Sequence, residues 1–187
     1  MKSLLLTVTL FVLVAVLHAQ DDLPFFSEDK NVSGTWYRKA KVSNANITEL
    51  EKPMEEFPFI ARVLEKGHIE ITVFTIFNDK CIQSKFVMEK TKKPGQYSAF
   101  WGTYLTYIYE LPVMDHYIFY SELKVLKKKV YMGDLIGKDP TENHKALEEF
   151  KKFTEGKGFL QENIIVPKQR EMCVPVDHKA ASHRCKS

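Results

Sequence analysis

Between Gly34 and Ile136 the chain divides into eight short segments that alternate apolar and polar residues, and this rhythm limits the folds open to it. The segments are 34–42, 59–64, 68–77, 81–90, 96–100, 103–111, 117–123 and 130–136. Turn signals separate them, notably Asn78-Asp79-Lys80 and Pro94-Gly95. In the third segment Ile69, Ile71, Val73, Thr75 and Phe77 share one face, against Glu70 and Thr72 on the other. In the fourth, Ile82, Ser84, Phe86 and Met88 oppose Gln83, Lys85 and Glu89. In the seventh, Tyr117, Phe119 and Ser121 fall on one face. Only one stretch reads as a helix. Asp139 serves as its cap, Pro140 as its first residue and Glu142 as the capping-box partner. Ala146, Leu147, Phe150 and Phe153 form its apolar stripe, Gly156 or Gly158 ends it, and Ile164–Val166 reads as a short last strand. The class is therefore all-β: an eight-stranded antiparallel up-and-down barrel with one C-terminal helix packed outside. A barrel of eight strands either fills its interior with side chains or holds one small ligand, and the pattern alone leaves both open.

Lys2, the apolar run from Leu4 to Leu17 and the small residue Ala19 compose a secretory signal over residues 1–19; the run is short for a bilayer span. Residues 20–175 form the barrel domain and residues 176–187 a polar tail. The formal charge of +3 is too small to argue for nucleic acid or an anionic surface, and Lys127-Lys128-Lys129 reads as a solvated hairpin. Secretion makes disulfides available, and three cysteines leave one over. Cys185 stands near His178 and His183, whose irregular spacing suits a tail with an unpaired thiol better than a metal site. Two sequons, at Asn31 and Asn46, are candidate glycosylation sites. Asn46 lies in the long connection 43–58, a candidate lid over a barrel mouth. No nucleophile elbow, zinc-protease helix, phosphate loop or dinucleotide fingerprint occurs, so no catalytic residue and no cofactor is assigned.

Gly34-Thr35-Trp36 opens the first segment; alternation turns Trp36 and Arg38 inward and Tyr37 outward. With Glu89–Tyr97, Asp115–Tyr120, Gly137–Pro140, Cys81 and Cys173 in order, the chain resembles the lipocalins, and among them the vomeronasal secretory, odorant-binding and tear lipocalins. The likeness runs from about Val32 to Cys173.

That resemblance implies a secreted carrier of small hydrophobic ligands such as odorants, pheromones or lipids, working in nasal or vomeronasal secretions, with a cell-surface or chemosensory receptor as a conceivable partner. A protein-binding role such as protease inhibition is the alternative. It implies a Cys81–Cys173 disulfide and a ligand set of Arg38, Ile71, Val73, Thr75, Phe86, Met88, Tyr117, Phe119 and Asp134. It implies a barrel floor of Gly34, Trp36 and Lys138; the family usually places an arginine across the indole, and here a lysine stands there. Lipocalin-type prostaglandin synthase uses a cavity thiol, which this chain lacks at an inward position, so a binding protein is expected rather than an enzyme. Close relatives carry Leu or Val at Arg38 and Lys at Asp134. The joint change to opposite charges predicts an ion pair inside the cavity, unless either side chain reaches water at a barrel end.

Overall fold

The computed structural model describes residues 23–27, 30–45, 55–126 and 128–175. The segment 1–19, Asn46 with its sequon, much of the long connection, and the tail holding His178, His183 and Cys185 lie outside them. The strands are β1 (Gly34–Ser43), β2 (Glu55–Glu56), β3 (Phe59–Val63), β4 (Ile69–Phe77), β5 (Lys80–Lys90), β6 (Gln96–Ala99), β7 (Tyr104–Glu110), β8 (His116–Val125), β9 (Lys128–Gly137) and β10 (Lys168–Gln169). Helix α1 spans His144–Gly156. Eight of the strands close a barrel in the order β1-β3-β4-β5-β6-β7-β8-β9, and each neighbouring pair is antiparallel.

The turns joining these strands alternate between two ends. The Trp36 end is closed. The segment before β1 lies across it: Phe26 donates its N–H to Ile108 O at 2.9 Å and buries its ring edge-on to Tyr117. The other end holds the turns β4–β5, β6–β7 and β8–β9. At the first of these, Asn78 and Asp79 both take positive φ (49° and 59°), as a two-residue hairpin turn requires.

One irregularity governs the interior. The β1–β9 register slips between Arg38 and Ala40, with Lys39 as the extra residue. Below the bulge Trp36 and Arg38 face in. Above it the parity reverses: Lys41 comes opposite Asp134 and faces in, while Ala40 and Val42 face out. Those outward residues form, with Ile118, Leu135 and Tyr109, the apolar patch that receives α1. Ala146, Phe150 and Phe153 of the predicted stripe are buried there, and Leu147 is partly buried against the same cluster. Full burial of a residue such as Phe150 contributes about 2–3 kcal/mol.

The helix begins later than predicted. Its cap is Asn143, whose Oδ1 accepts from the Ala146 N–H at 3.0 Å; Asp139 instead turns the chain by accepting from the Thr141 N–H at 3.0 Å, and its carboxylate stands 3.2 Å from Lys39 Nζ. The apolar stripe starts at Ala146, three residues after Asn143, so residues 140–142 have no apolar face to repay a further turn of helix. The short last strand predicted over 164–166 is a single bridge, Ile165 with Lys41, followed by β10, which pairs in parallel with β2.

Candidate functional site

The lower half of the barrel is packed. Trp36 is 3 % exposed, donates its indole N–H to Val32 O at 2.6 Å, and meets Tyr117 edge-on at 5.3 Å. Lys138 lies over the indole, its Nζ 4.0 Å from the ring centroid and 2.7 Å from Ser33 O. Burial lowers the Lys138 ammonium below the ordinary lysine range. Gly34 is required at this point: its φ is +119°, and a Cβ there would stand 3.0 Å from Lys138 Nζ. Among the described residues, Ile71, Tyr117 and Phe119 of the expected ligand set line a residual void of about 10 Å³ above this floor, no larger than one water. Met88, 2 % exposed, packs into the same cluster.

The upper half is hollow. A cavity of about 320 Å³ lies between Arg38, Lys41, Val73, Phe86, Phe100, Tyr104, Met132, Asp134, Asn163 and Ile165. Arg38, Val73, Phe86 and Asp134 of the expected set thus meet at one space. Thr75 does not: it faces the predicted side but is exposed, because the β4–β5 hairpin runs on past the level of the cavity.

Arg38 and Asp134 are paired, Nε to Oδ1 at 2.9 Å. The Arg38 Nε–H lacks a well-aligned acceptor, so the attraction is mainly that of charge for charge. Two partners unforeseen in the sequence extend the pair. Glu56 takes Arg38 on Oε2 at 2.8 Å and Lys41 on Oε1 at 2.9 Å. Among the described residues, two cations and two carboxylates therefore face one another. The Asp134 charge holds the Arg38 guanidinium above even its usual high range. Burial raises the Asp134 carboxyl above the ordinary aspartate range, with Arg38 opposing. Tyr104, raised by burial, gives the wall a hydroxyl 2.8 Å from Ser121 Oγ, which donates to Thr106 at 2.9 Å.

Glu56 reaches the cavity through a seam. β3 pairs with β1 only from Gly34 to Trp36. Above that, the exposed edge of β1 is taken up by the C-terminal segment: Lys41 and Ile165 exchange backbone hydrogen bonds at 2.9 and 2.8 Å, and Gln169 Nε2 donates to Arg38 O at 2.8 Å. β10 then holds β2, and with it Glu56, against the seam. The Cys81–Cys173 disulfide ties this segment to β5, with Cα atoms 5.8 Å apart. Asn31, the described sequon, is exposed, and its Oδ1 accepts from the Ser33 N–H at 2.9 Å.

Comparison with known proteins agrees with this architecture. A profile of the lipocalin / cytosolic fatty-acid binding protein family matches residues 33–171. Vomeronasal secretory protein 2 of Mus musculus is 48% identical over 99% of this chain and 100% of its own length. Odorant-binding protein 2a of Mus musculus is 42% identical over 95% and 100%. Lipocalin-1 of Sus scrofa is 37% identical over 94% and 98%. The solved structure of the siderocalin Ex-FABP superposes with a TM-score of 0.67 at 16% identity, covering 79% of this chain and 100% of that one, and so shares the fold. With the whole barrel inside the matched region, the chain belongs to the lipocalin / cytosolic fatty-acid binding protein family.

Proposed function

We propose that this chain is a secreted carrier that holds one small hydrophobic molecule in the cavity above Phe119, working in nasal or vomeronasal secretions as its relatives' names suggest. In this reading residues 1–19 are a signal peptide, residues 176–187 a polar tail, and Asn46, in the long connection, and the exposed Asn31 are glycan acceptors. The observation that carries it is the 320 Å³ space, large enough for a small ligand and walled by Val73, Phe86, Phe100 and Met132. Binding draws on apolar burial, at roughly 25 cal/mol per Å². Orientation falls to the few polar groups present. Because Arg38 and Lys41 already face Glu56 and Asp134, an incoming carboxylate must displace a carboxylate that is in place. Neutral or weakly polar ligands, such as alcohols, esters and ketones, suit the site better than fatty acids. Uptake of a fluorescent hydrophobic probe, displaced by such compounds, tests the reading. A chain that takes up no probe and yields no ligand on extraction of the natively secreted protein refutes it.

A further inference from the structure

The two ends of the barrel are finished differently. At the closed end the three hairpin turns carry Glu65, Lys66, Lys92, Lys93 and Asp115, and among the large apolar residues of these turns only Met114 is strongly exposed, at 86 %. At the open end all three turns present large apolar side chains to solvent. Phe77 is 67 % exposed, Trp101 fully so, and Leu126 93 %. Turn chemistry does not explain these residues. Phe100, Trp101 and Leu126 sit at positive φ (50°, 56° and 46°), where glycine and asparagine are favoured and bulky side chains are disfavoured. All three turns of one end carry such a tip, which sets that end apart from the other. Exposed lysines stand beside two of them: Lys80 near Phe77, with the exposed Asp79 in the same turn, and Lys124 and Lys128 flanking Leu126.

We propose that the open end docks on a lipid surface carrying anionic headgroups, with Phe77, Trp101 and Leu126 entering the interface and Lys80, Lys124 and Lys128 meeting the headgroups. An exposed tryptophan tip on the same rim as tips flanked by lysines matches the chemistry of the membrane interface, where aromatic rings settle at headgroup depth and basic side chains meet anionic lipid. The site is also continuous with the cavity. Phe100, next to Trp101, lines the 320 Å³ space and packs on Phe86 at 5.2 Å, so the docked tip leads directly onto the cavity wall. The docking rests on the carrier reading only for its purpose, which is to load or release a sparingly soluble ligand at the surface that dissolves it.

The two tryptophans make the test direct, since Trp36 is buried and Trp101 is exposed. The full secreted chain is mixed with phosphatidylcholine vesicles, with and without phosphatidylserine. The expected result is a blue shift of Trp101 emission, quenching by brominated phosphatidylcholine, and co-sedimentation that needs phosphatidylserine and weakens with salt. The triple variant Phe77→Ser, Trp101→Ser, Leu126→Ser should co-sediment about tenfold less. It should still take up a hydrophobic probe from water with unchanged affinity. No vesicle binding by the wild type, or equal binding by the triple variant, overturns the proposal. So does a Trp101 blue shift without lipid that tracks dimer formation, which would make the tips a contact between copies. Wild-type chain that binds vesicles but takes up no probe from water refutes the carrier reading and leaves the docking standing.

Discussion

The lower and upper halves of the barrel are built from the same strands, yet they solve opposite problems. Below Phe119, Trp36, Tyr117, Ile136 and Ile69 interlock until about 10 Å³ remains. Above it, the barrel strands and the C-terminal segment line about 320 Å³, beside Arg38, Lys41, Asp134 and, from β2, Glu56. The difference is set by the β1 bulge at Lys39. One extra residue turns Lys41 inward beside Asp134 and leaves Ala40 and Val42 free to receive the helix. The floor is held by shape, which is dense and unforgiving. The cavity is held by balanced charge and a tethered seam, which leaves room for a ligand and for change.

Breaking the floor should have the largest effect. Trp36→Ala removes a large buried ring from a site with no space to collapse and should cost about 3–5 kcal/mol. Tyr37→Ala, on the outer face, should cost clearly less in the same thermal unfolding experiment. Equal losses would mean that the lower half is not the packed plug described.

Removing the tether comes next. Cys81→Ser with Cys173→Ser should cost about 2–4 kcal/mol. It should also weaken probe uptake, because the C-terminal segment forms the cavity's seam and holds Glu56 in place. A double variant that loses stability yet binds the probe as the wild type does would separate the seam from the site.

Asp134→Ala acts on the upper half alone. It leaves Arg38 with Glu56 as its carboxylate partner, so the cost should be about 1–3 kcal/mol, below that of a buried pair broken outright. Released from Asp134, Arg38 should bind carboxylate ligands more tightly. Unchanged stability and ligand preference in calorimetry would show that the pair does not shape the cavity.

Protonation should reproduce part of that change. Burial raises the folded-state Asp134 carboxyl above its unfolded value, so the contribution of its proton to stability is complete below the ordinary aspartate range and is lost as pH rises through the raised value. At neutral pH the carboxylate is thus held at a cost, with Arg38, Lys41 and Glu56 around it and Tyr104 on the facing wall. Lowering the pH through the raised Asp134 range should neutralise it, and the affinity for an alkyl sulfonate, which stays ionised, should rise a few-fold. In Asp134→Asn this dependence should disappear.

Much of this division was legible in the sequence, and each failure has its own physical cause. Alternation places Trp36, Arg38, Val73 and Phe86 on the inner face, and the joint change at Arg38 and Asp134 marks the pair. Alternation states which face a residue takes, not its height along the barrel. That is why Ile71, Met88, Tyr117 and Phe119 fall in the packed floor and Thr75 beyond the rim, though all were expected around the ligand. Lys41 was hidden because a bulge has no compositional signature, and Glu56 because its place depends on pairing with Lys168–Gln169 at the far end of the chain. Asp139 carries the residue type of a helix cap, but the apolar stripe that decides the start lies in register with Asn143.

If the upper cavity binds apolar molecules beside charges that already face one another, a ligand's own charge should weaken its binding. Calorimetric titration at neutral pH with a long-chain alcohol and the carboxylic acid of equal chain length tests it most directly. The alcohol should bind more tightly, and Asp134→Ala should narrow or reverse the gap. An acid that binds the wild type as tightly as the alcohol, or more so, would contradict it.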